Sequence, residues 1–417
     1  MTGLWAADDL GPDQCATVRT EHDVRGFVTR TCFKTGPPGR VGIESEWFVH
    51  DVADRTDHVP FERLSRLADD AGQLPGGSTL TFEPGGQLEL STACGDNLPH
   101  ARDLLDGDLH HLDKLLADRG LLRAGVGVDP VRRPRRMNDS PRYAAMEAFF
   151  DLDGPAGRVM MASTASVQIC LDAGADAADV TRRWALTNAL TPVLVAAFAN
   201  SPLRLGLPTG HACSRQDIWS HIDPTRTTAP RGTDPAEAWA RYALDARVLL
   251  VRRDPEPWVA GPGMTLREWV AGTTPWGQPT YDDLAYHLST LFPPVRPQGW
   301  LELRAIDALP DDLWPVAVAV TTALVDDPKA ADTARDATAG LDGHQHRAVR
   351  DALRDRDLRR AAEQCFLAAL AALPRLGAEP SLVERVDDYA DRYVALGRTP
   401  ADDLLDDWQR TIKEESA

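Results

Sequence analysis

The sequence predicts an α+β fold: a curved, mainly antiparallel sheet with one wet, functional face and one face packed on helices. Three observations carry this. Strand-like stretches such as Val41–Val49 (VGIESEWFV) and Trp300–Asp307 (WLELRAID) alternate polar and apolar residues, whereas a parallel sheet covered on both sides has near-continuous apolar strands. Long stretches of helical periodicity separate them. Between Leu80 and Ser91 (LTFEPGGQLELS) a Pro-Gly-Gly turn at Pro84–Gly86 joins two short alternating runs, which reads as a hairpin with acids near its tip.

Taken in order, residues 1–39 form a lead-in mixing Gly, Pro and charge, with a short helix expected over Glu21–Cys32. In Val41–Val49 the period of two puts Glu44 and Glu46 on one face with Gly42 and Phe48. Pro60–Ala71 has helical spacing, and Pro75-Gly76-Gly77 turns the chain into the hairpin that carries Glu83 and Glu89. Leu98–Gly120 is a leucine-rich helix with Gly120 as its stop. His110 and His111 on it point in different directions, so they do not share a metal. A strand is expected at Val126–Val128, then an Arg-rich turn at Arg132–Arg136 and a helix from Ser140-Pro141 carrying Arg142.

Met160–Asp172 (MMASTASVQICLD) reads as a strand with Thr164, Ser166, Gln168 and Cys170 on one face. Asp179–Ala199 is an apolar helix ended by Asn200-Ser201-Pro202, and Ser214–His221 (SRQDIWSH) a short one. Val248–Val251 is expected to be a buried strand and Thr280–Leu291 a helix that Pro293-Pro294 breaks. In Trp300–Asp307 the same alternation sets Glu302 beside Arg304. From Pro310 onward the pattern is helical. The expected organisation is a single catalytic domain over 1–417, with the lead-in, a sheet-bearing core over 40–309 and a helical part over 310–417.

Acids crowded on one face repel, and burying an unpaired carboxylate is costly, so such clusters need a cation or paired arginines. Hard oxygen ligands point to Mg2+, with Mn2+ as the alternative, and Mg2+ favours carboxylates together with substrate phosphates. Glu44, Glu46, Glu83, Glu89 and Glu302, adjoined by Arg304, Arg296 and Arg215, suit a cation-held triphosphate. Glu44 and Glu46 alone fit the solvated face of an antiparallel sheet equally well.

A chain of 417 residues, 43% hydrophobic, builds a real core, and its net charge of −18 repels nucleic acid and anionic membranes. No uncharged apolar run reaches membrane-span length. The opening MTGLWAADDLGPDQ has no basic segment before an apolar one, and six cysteines lie scattered without C-x-x-C spacing, so a reduced, cytoplasmic protein is expected. There is no G-x-x-x-x-G-K-[ST], no H-E-x-x-H and no G-x-S-x-G, which removes P-loop, zinc-protease and serine-hydrolase readings.

The ordered series GIESE, FEPGGQLELS, RYAAME, MMASTASVQICLD, ANSP, SRQDIW, HLSTLFPPVR and WLELR, from Arg40 to Pro315, resembles the glutamate-cysteine ligase family of plants and many bacteria. It is most similar to the actinobacterial branch associated with ergothioneine biosynthesis. The resemblance implies a glutamine-synthetase-like active-site face on which ATP phosphorylates the glutamate side chain and the cysteine amine displaces phosphate, giving γ-glutamylcysteine. It implies Glu44, Glu46, Glu83, Glu89 and Glu302 as metal ligands, Gln168 close by, Arg215 and Trp219 at glutamate, and Arg304 at the phosphates. Thr164 and Arg142 are further substrate-site positions, as is Arg296. The family strand often reads Gln-Val-Asn where this chain has Gln168-Ile169-Cys170, so a thiol stands in place of an amide. Two other readings fit the same residues: a ligase with another amine acceptor, and a non-catalytic protein that binds an amino acid or nucleotide.

Overall fold

The computed structural model describes residues 14–253 and 257–415. Most of the acidic opening segment and the last two residues of the helical C-terminal part therefore lie outside the described residues. The strands are β1 (Val41–Asp51), β2 (Thr79–Phe82), β3 (Leu88–Ser91), β4 (Leu121–Ala124), β5 (Ser166–Asp172), β6 (Leu203–Arg204), β7 (Leu207–Pro208), β8 (Val295–Pro297) and β9 (Trp300–Asp307). Seven form one open sheet in the order β2-β3-β1-β5-β9-β8, with β4 paired to the far end of β1, while β6 and β7 make a separate small hairpin. Every pairing is antiparallel. Mixed helix and antiparallel sheet thus agree with the expected fold class.

Alternation sorts the two faces. Val41, Ile43, Trp47, Leu88, Leu90, Val167, Ile169, Leu171, Leu301 and Leu303 are buried in one apolar core. Helices Leu98–Ala117, Ala177–Ala197 and Trp314–Asp326 pack against this side. Pairing brings the opposite side chains into rows: Glu46 faces Glu89, Glu44 faces Gln168, Cys170 faces Glu302, and Arg296 faces Glu302. A second, smaller apolar cluster caps that acidic face, drawing Met146, Phe149 and Phe150 from helix Pro141–Phe150, Met160 and Met161 from Ala156–Ser163, and Ile218 from Ser214–Ser220.

Local chemistry fixes the cap. Ser140 accepts a hydrogen bond from the Tyr143 N–H and Pro141 opens the helix, the ordinary N-terminal arrangement. In the β2–β3 turn Gly86 adopts φ +80°, and a Cβ on Gly85 would lie 2.3 Å from the Ala162 carbonyl oxygen. Only glycine fits there. Gln87 accepts from the Gly85 N–H and donates to the Met161 and Thr164 carbonyls, tying the hairpin tip to the end of the Ala156–Ser163 helix.

Four expectations are corrected. The strand placed at Val126–Val128 lies earlier, at Leu121–Ala124, where it pairs with β1; Val128 makes only an isolated bridge to Thr164. Met160–Asp172 is not one strand: Met160 to Ser163 complete a helix and the strand starts at Ser166. Met and Ala favour helix, and Gly157 lets that helix close onto Phe150. Val248–Val251 is buried but belongs to no strand, its apolar run serving the packing of Leu249 and Leu250 in the smaller cluster. The helix expected over Thr280–Leu291 ends at Leu288, and Pro235–Asp245 is a helix that the sequence reading left unassigned. Residues from Trp314 onward are helical apart from their connections, and among described residues no helix is long and apolar enough to cross a membrane.

Candidate active site

Between the acidic face and its cap lies a cavity of about 120 Å3, bordered by Glu44, Glu46, Glu83 and Glu89 and by Arg142, Arg215, Arg296 and Arg304. Gln168, Thr164 and Trp219 also line it. The expected site residues from distant parts of the chain therefore surround one space, with Glu302 directly behind it.

Each acid is held differently. Glu46 accepts from the Ser166 N–H (2.9 Å), the Ser166 hydroxyl (3.0 Å) and Gln168 Nε2 (3.0 Å). Glu89 accepts from the Thr81 hydroxyl at 2.7 Å. Glu83 stands at the hairpin turn, its N–H donating to the Gln87 carbonyl and its carbonyl accepting from the Gly86 N–H. Arg304 donates to both Gln168 and Glu302, so Gln168 links Glu46 to the basic end of the cavity.

Glu302 is saturated. Arg296 grips it at two points, Gln298 Nε2 donates at 3.0 Å and Arg304 at 3.0 Å. Arg296, expected at the substrate, borders the cavity and gives its guanidinium to Glu302 and to the Ser289 and Leu291 carbonyls. A carboxylate oxygen of Glu302 nevertheless lies within 4.8 Å of ligand atoms of Glu44 and Cys170.

Arg215 is buried and donates to the Arg304, Ala305 and Ile306 carbonyls, with Asp307 3.8 Å away. It sits 5.9 Å from the centre of the Trp219 ring, which packs edge-on against Phe292. Thr164 donates its hydroxyl to the Met160 carbonyl, and Arg142 donates to Ser289 while lying over Tyr286. His287, on a helix of the cap side, is buried with Nε2 against the Ala243 carbonyl and does not border the cavity.

Burial, then the charges of Glu302 and Glu89, pushes the Glu44 carboxyl well above its ordinary range. Burial and Glu89 raise Glu46 to about 7, and burial with Glu89 and Glu46 raises Glu83 strongly. Burial acts on Glu302 too, but Arg296 and Arg304 overcome it and hold that carboxyl below the usual range. The Cys170 thiol is pushed far up by burial and by Glu44 and Glu302, which keeps it neutral. Arg296 and Arg304 thus favour the charged form of Glu302, while burial and mutual repulsion favour the protonated forms of Glu44, Glu46 and Glu83. Glu44 and Glu302 converge with the neutral Cys170 thiol, and the carboxylates around the cavity supply the oxygen donors that a hard divalent ion takes.

The sequence reading did not single out Gln87, Ser166, Gln298 or Asp307 for these roles. Ser166 was legible as a same-face neighbour of Gln168; the others act across turns that no periodicity marks.

An open antiparallel sheet with buried acids and arginines gathered around a small cavity defines an enzyme centre for reactions of charged groups. A model described as glutamate-cysteine ligase family 2 matches residues 40–417. The chain belongs to this family; it is a ligase, and its activity is γ-glutamylcysteine ligation. It is 42% identical over 420 residues to glutamate–cysteine ligase EgtA of Mycolicibacterium smegmatis, covering 94% of this chain and 96% of that one. EgtA of Mycobacterium tuberculosis is 36% identical over 412 residues, with 94% of each covered. The chloroplastic glutamate–cysteine ligase of Arabidopsis thaliana is 28% identical over 444 residues, covering 96% of this chain and 84% of the relative. Among solved structures, a bifunctional glutathione synthetase from Pasteurella multocida aligns at a TM-score of 0.48 and 14% identity, over 93% of this chain and about half (51%) of its own.

Proposed function

We propose that the chain joins the γ-carboxylate of glutamate to the cysteine amine with cleavage of ATP, on a glutamine-synthetase-like face, within one catalytic domain of a cytoplasmic protein. A γ-carboxylate oxygen attacks the γ-phosphorus and ADP leaves. The cysteine nitrogen then forms the C–N bond, the C–O bond of the acyl phosphate breaks, phosphate departs and the amine gives up a proton. The observation that carries this reading is the unbroken link Glu46–Gln168–Arg304–Glu302, which joins acids in need of a cation to an arginine that borders the cavity.

Glu44, Glu46, Glu83 and Glu89 are the residues to hold Mg2+ or Mn2+, with Glu302 next to them. Once bound, the ion supplies positive charge to the transferring phosphoryl group. Arg304 adds fixed charge that needs no reorganisation as the reaction proceeds. Arg215 and Trp219, with Arg142 and Thr164, form the wall for glutamate, and Arg296 keeps Glu302 charged and oriented. The family relationship to the two EgtA ligases supports ergothioneine biosynthesis as the use of the product. Mass-spectrometric detection of γ-glutamylcysteine and ADP from ATP, glutamate, cysteine and Mg2+ tests the reading. ADP release with a different amine, and none with cysteine, would replace it by a ligase with another acceptor.

A further inference from the structure

Arg215 borders a cavity that Glu44, Glu46, Glu83 and Glu89 also border. Opposite charges attract strongly out of water, so a group outside that space has to keep its guanidinium off those acids. Asp307, the last residue of β9, is almost wholly buried and does not border the cavity. Its Oδ2 accepts from the Asn200 N–H at 2.9 Å and the Ser201 hydroxyl at 2.7 Å, and its Oδ1 from the Cys213 thiol at 3.2 Å. Arg215 Nη1 lies 3.8 Å from the same Oδ1. Ser201 in turn accepts from the Arg215 N–H at 3.1 Å, which gives helix Ser214–Ser220 a cap that the Cys213 side chain does not supply. One carboxylate therefore reaches Arg215 twice, through the backbone by way of Ser201 and directly by charge. The carboxyl group is itself wedged in place, since a Cβ on Gly127 would lie 2.4 Å from its carbon.

We infer that Asp307 is a positioning residue for Arg215, holding that guanidinium at the wall where it meets the carboxylate of an anionic amino-acid substrate. The inference rests on the glutamate wall proposed above and adds to it a residue that touches no substrate. The carbonyls of Arg304, Ala305 and Ile306 tether the guanidinium but carry no net charge. Among the charges around Arg215, that of Asp307 favours the protonated guanidinium most, and Glu46 comes next. With Asp307 neutral, the strongest remaining pull is therefore from Glu46, at the cavity. An arginine drawn onto Glu46 gives up the substrate carboxylate. The device is assembled from three distant stretches: the end of β9, the turn Asn200-Ser201-Pro202 after helix Ala177–Ala197, and the start of helix Ser214–Ser220.

A double-mutant cycle tests this. Asp307→Asn keeps the shape and removes the charge, while Arg215→Lys removes the guanidinium fork. The KM values for glutamate, ATP and cysteine and kcat are measured for wild type, each single variant and the pair, with thermal melting as the folding control. Asp307→Asn is expected to raise the KM for glutamate about tenfold or more, with kcat and the other two constants within about twofold. In the Arg215→Lys background the same change should raise it by less than about threefold, because no fork is left to place. An equal rise in both backgrounds overturns the inference. So does a loss of kcat and melting temperature that singles out no substrate, the mark of a residue serving only the fold. If both single variants raise the ATP constant instead, and still less than additively together, the glutamate wall falls while the link between Asp307 and Arg215 stands. Should Asp307→Asn not fold, Ser201→Ala, which removes the strut to the Arg215 backbone and leaves the charge, goes through the same cycle and the same criteria decide.

Discussion

Arg296 and Glu302 meet across the β8–β9 turn in a two-point ion pair, Nε to Oε2 at 2.7 Å and a terminal nitrogen to Oε1 at 3.1 Å, with both side chains almost wholly out of solvent. A forked pair of this kind has geometry that lysine cannot reproduce. Breaking one partner leaves a buried charge uncompensated, which costs about 3–5 kcal/mol. Arg296→Met is expected to lose that much in denaturant unfolding, and Arg296→Met with Glu302→Leu distinctly less than the sum of the single changes. Strict additivity would mean that the pair is not coupled.

Glu89→Gln should abolish turnover and leave folding unharmed. The amide keeps the shape and its contact with the Thr81 hydroxyl but removes charge from the group that is to hold the cation, and it relieves repulsion on Glu44, Glu46 and Glu83. Melting without metal should therefore be unchanged or higher. Near-normal turnover at saturating Mg2+ would remove Glu89 from the cation site.

Arg215→Lys is expected to weaken both glutamate binding and the fold. Its hydrogen bonds to three successive carbonyls anchor the end of β9, and hydrogen bonds from a charged donor contribute about 1.5–3 kcal/mol. The KM for glutamate should rise markedly and that for ATP much less. A raised ATP constant beside an unchanged glutamate constant would move Arg215 to the nucleotide.

His287 should make stability depend on pH in a defined window. Burial, aided by Arg226, lowers its pKa from the ordinary 6.5 to about 3. Below 6.5 the unfolded chain takes up a proton that the folded one refuses, so this contribution is fully present above pH 6.5 and is lost progressively towards pH 3. The slope approaches about 1.4 kcal/mol per pH unit. Urea unfolding of wild type and His287→Gln between pH 7.5 and 5 should diverge by about that slope; parallel curves would show that His287 does not titrate this way.

How much of this was legible in the sequence follows from the range of each interaction. Glu44 and Glu46 share a face because side chains alternate in any strand, and Glu302 lies two residues from Arg304 for the same reason. Which strands adjoin is set by the packing of the apolar face, so the meeting of Glu46 with Glu89 and of Cys170 with Glu302 is written in no single stretch. The pairing of Arg296 with Glu302 was not legible for that reason: the partner comes back across a turn. The polar alternation of β5 extended through Thr164 and concealed the helix that ends at Ser163.

The facing pair Glu46 and Glu89 also bears on the order in which the protein is made. A slip of one residue of β3 along β1 would turn Leu88 and Leu90 outward and Glu89 into the core, so hydrocarbon on the back of the sheet selects the pairing. On the front, burial and mutual repulsion push Glu44, Glu46 and Glu83 towards their protonated forms. Selection of the strand register therefore rests on the back of the sheet and needs no ion on the front.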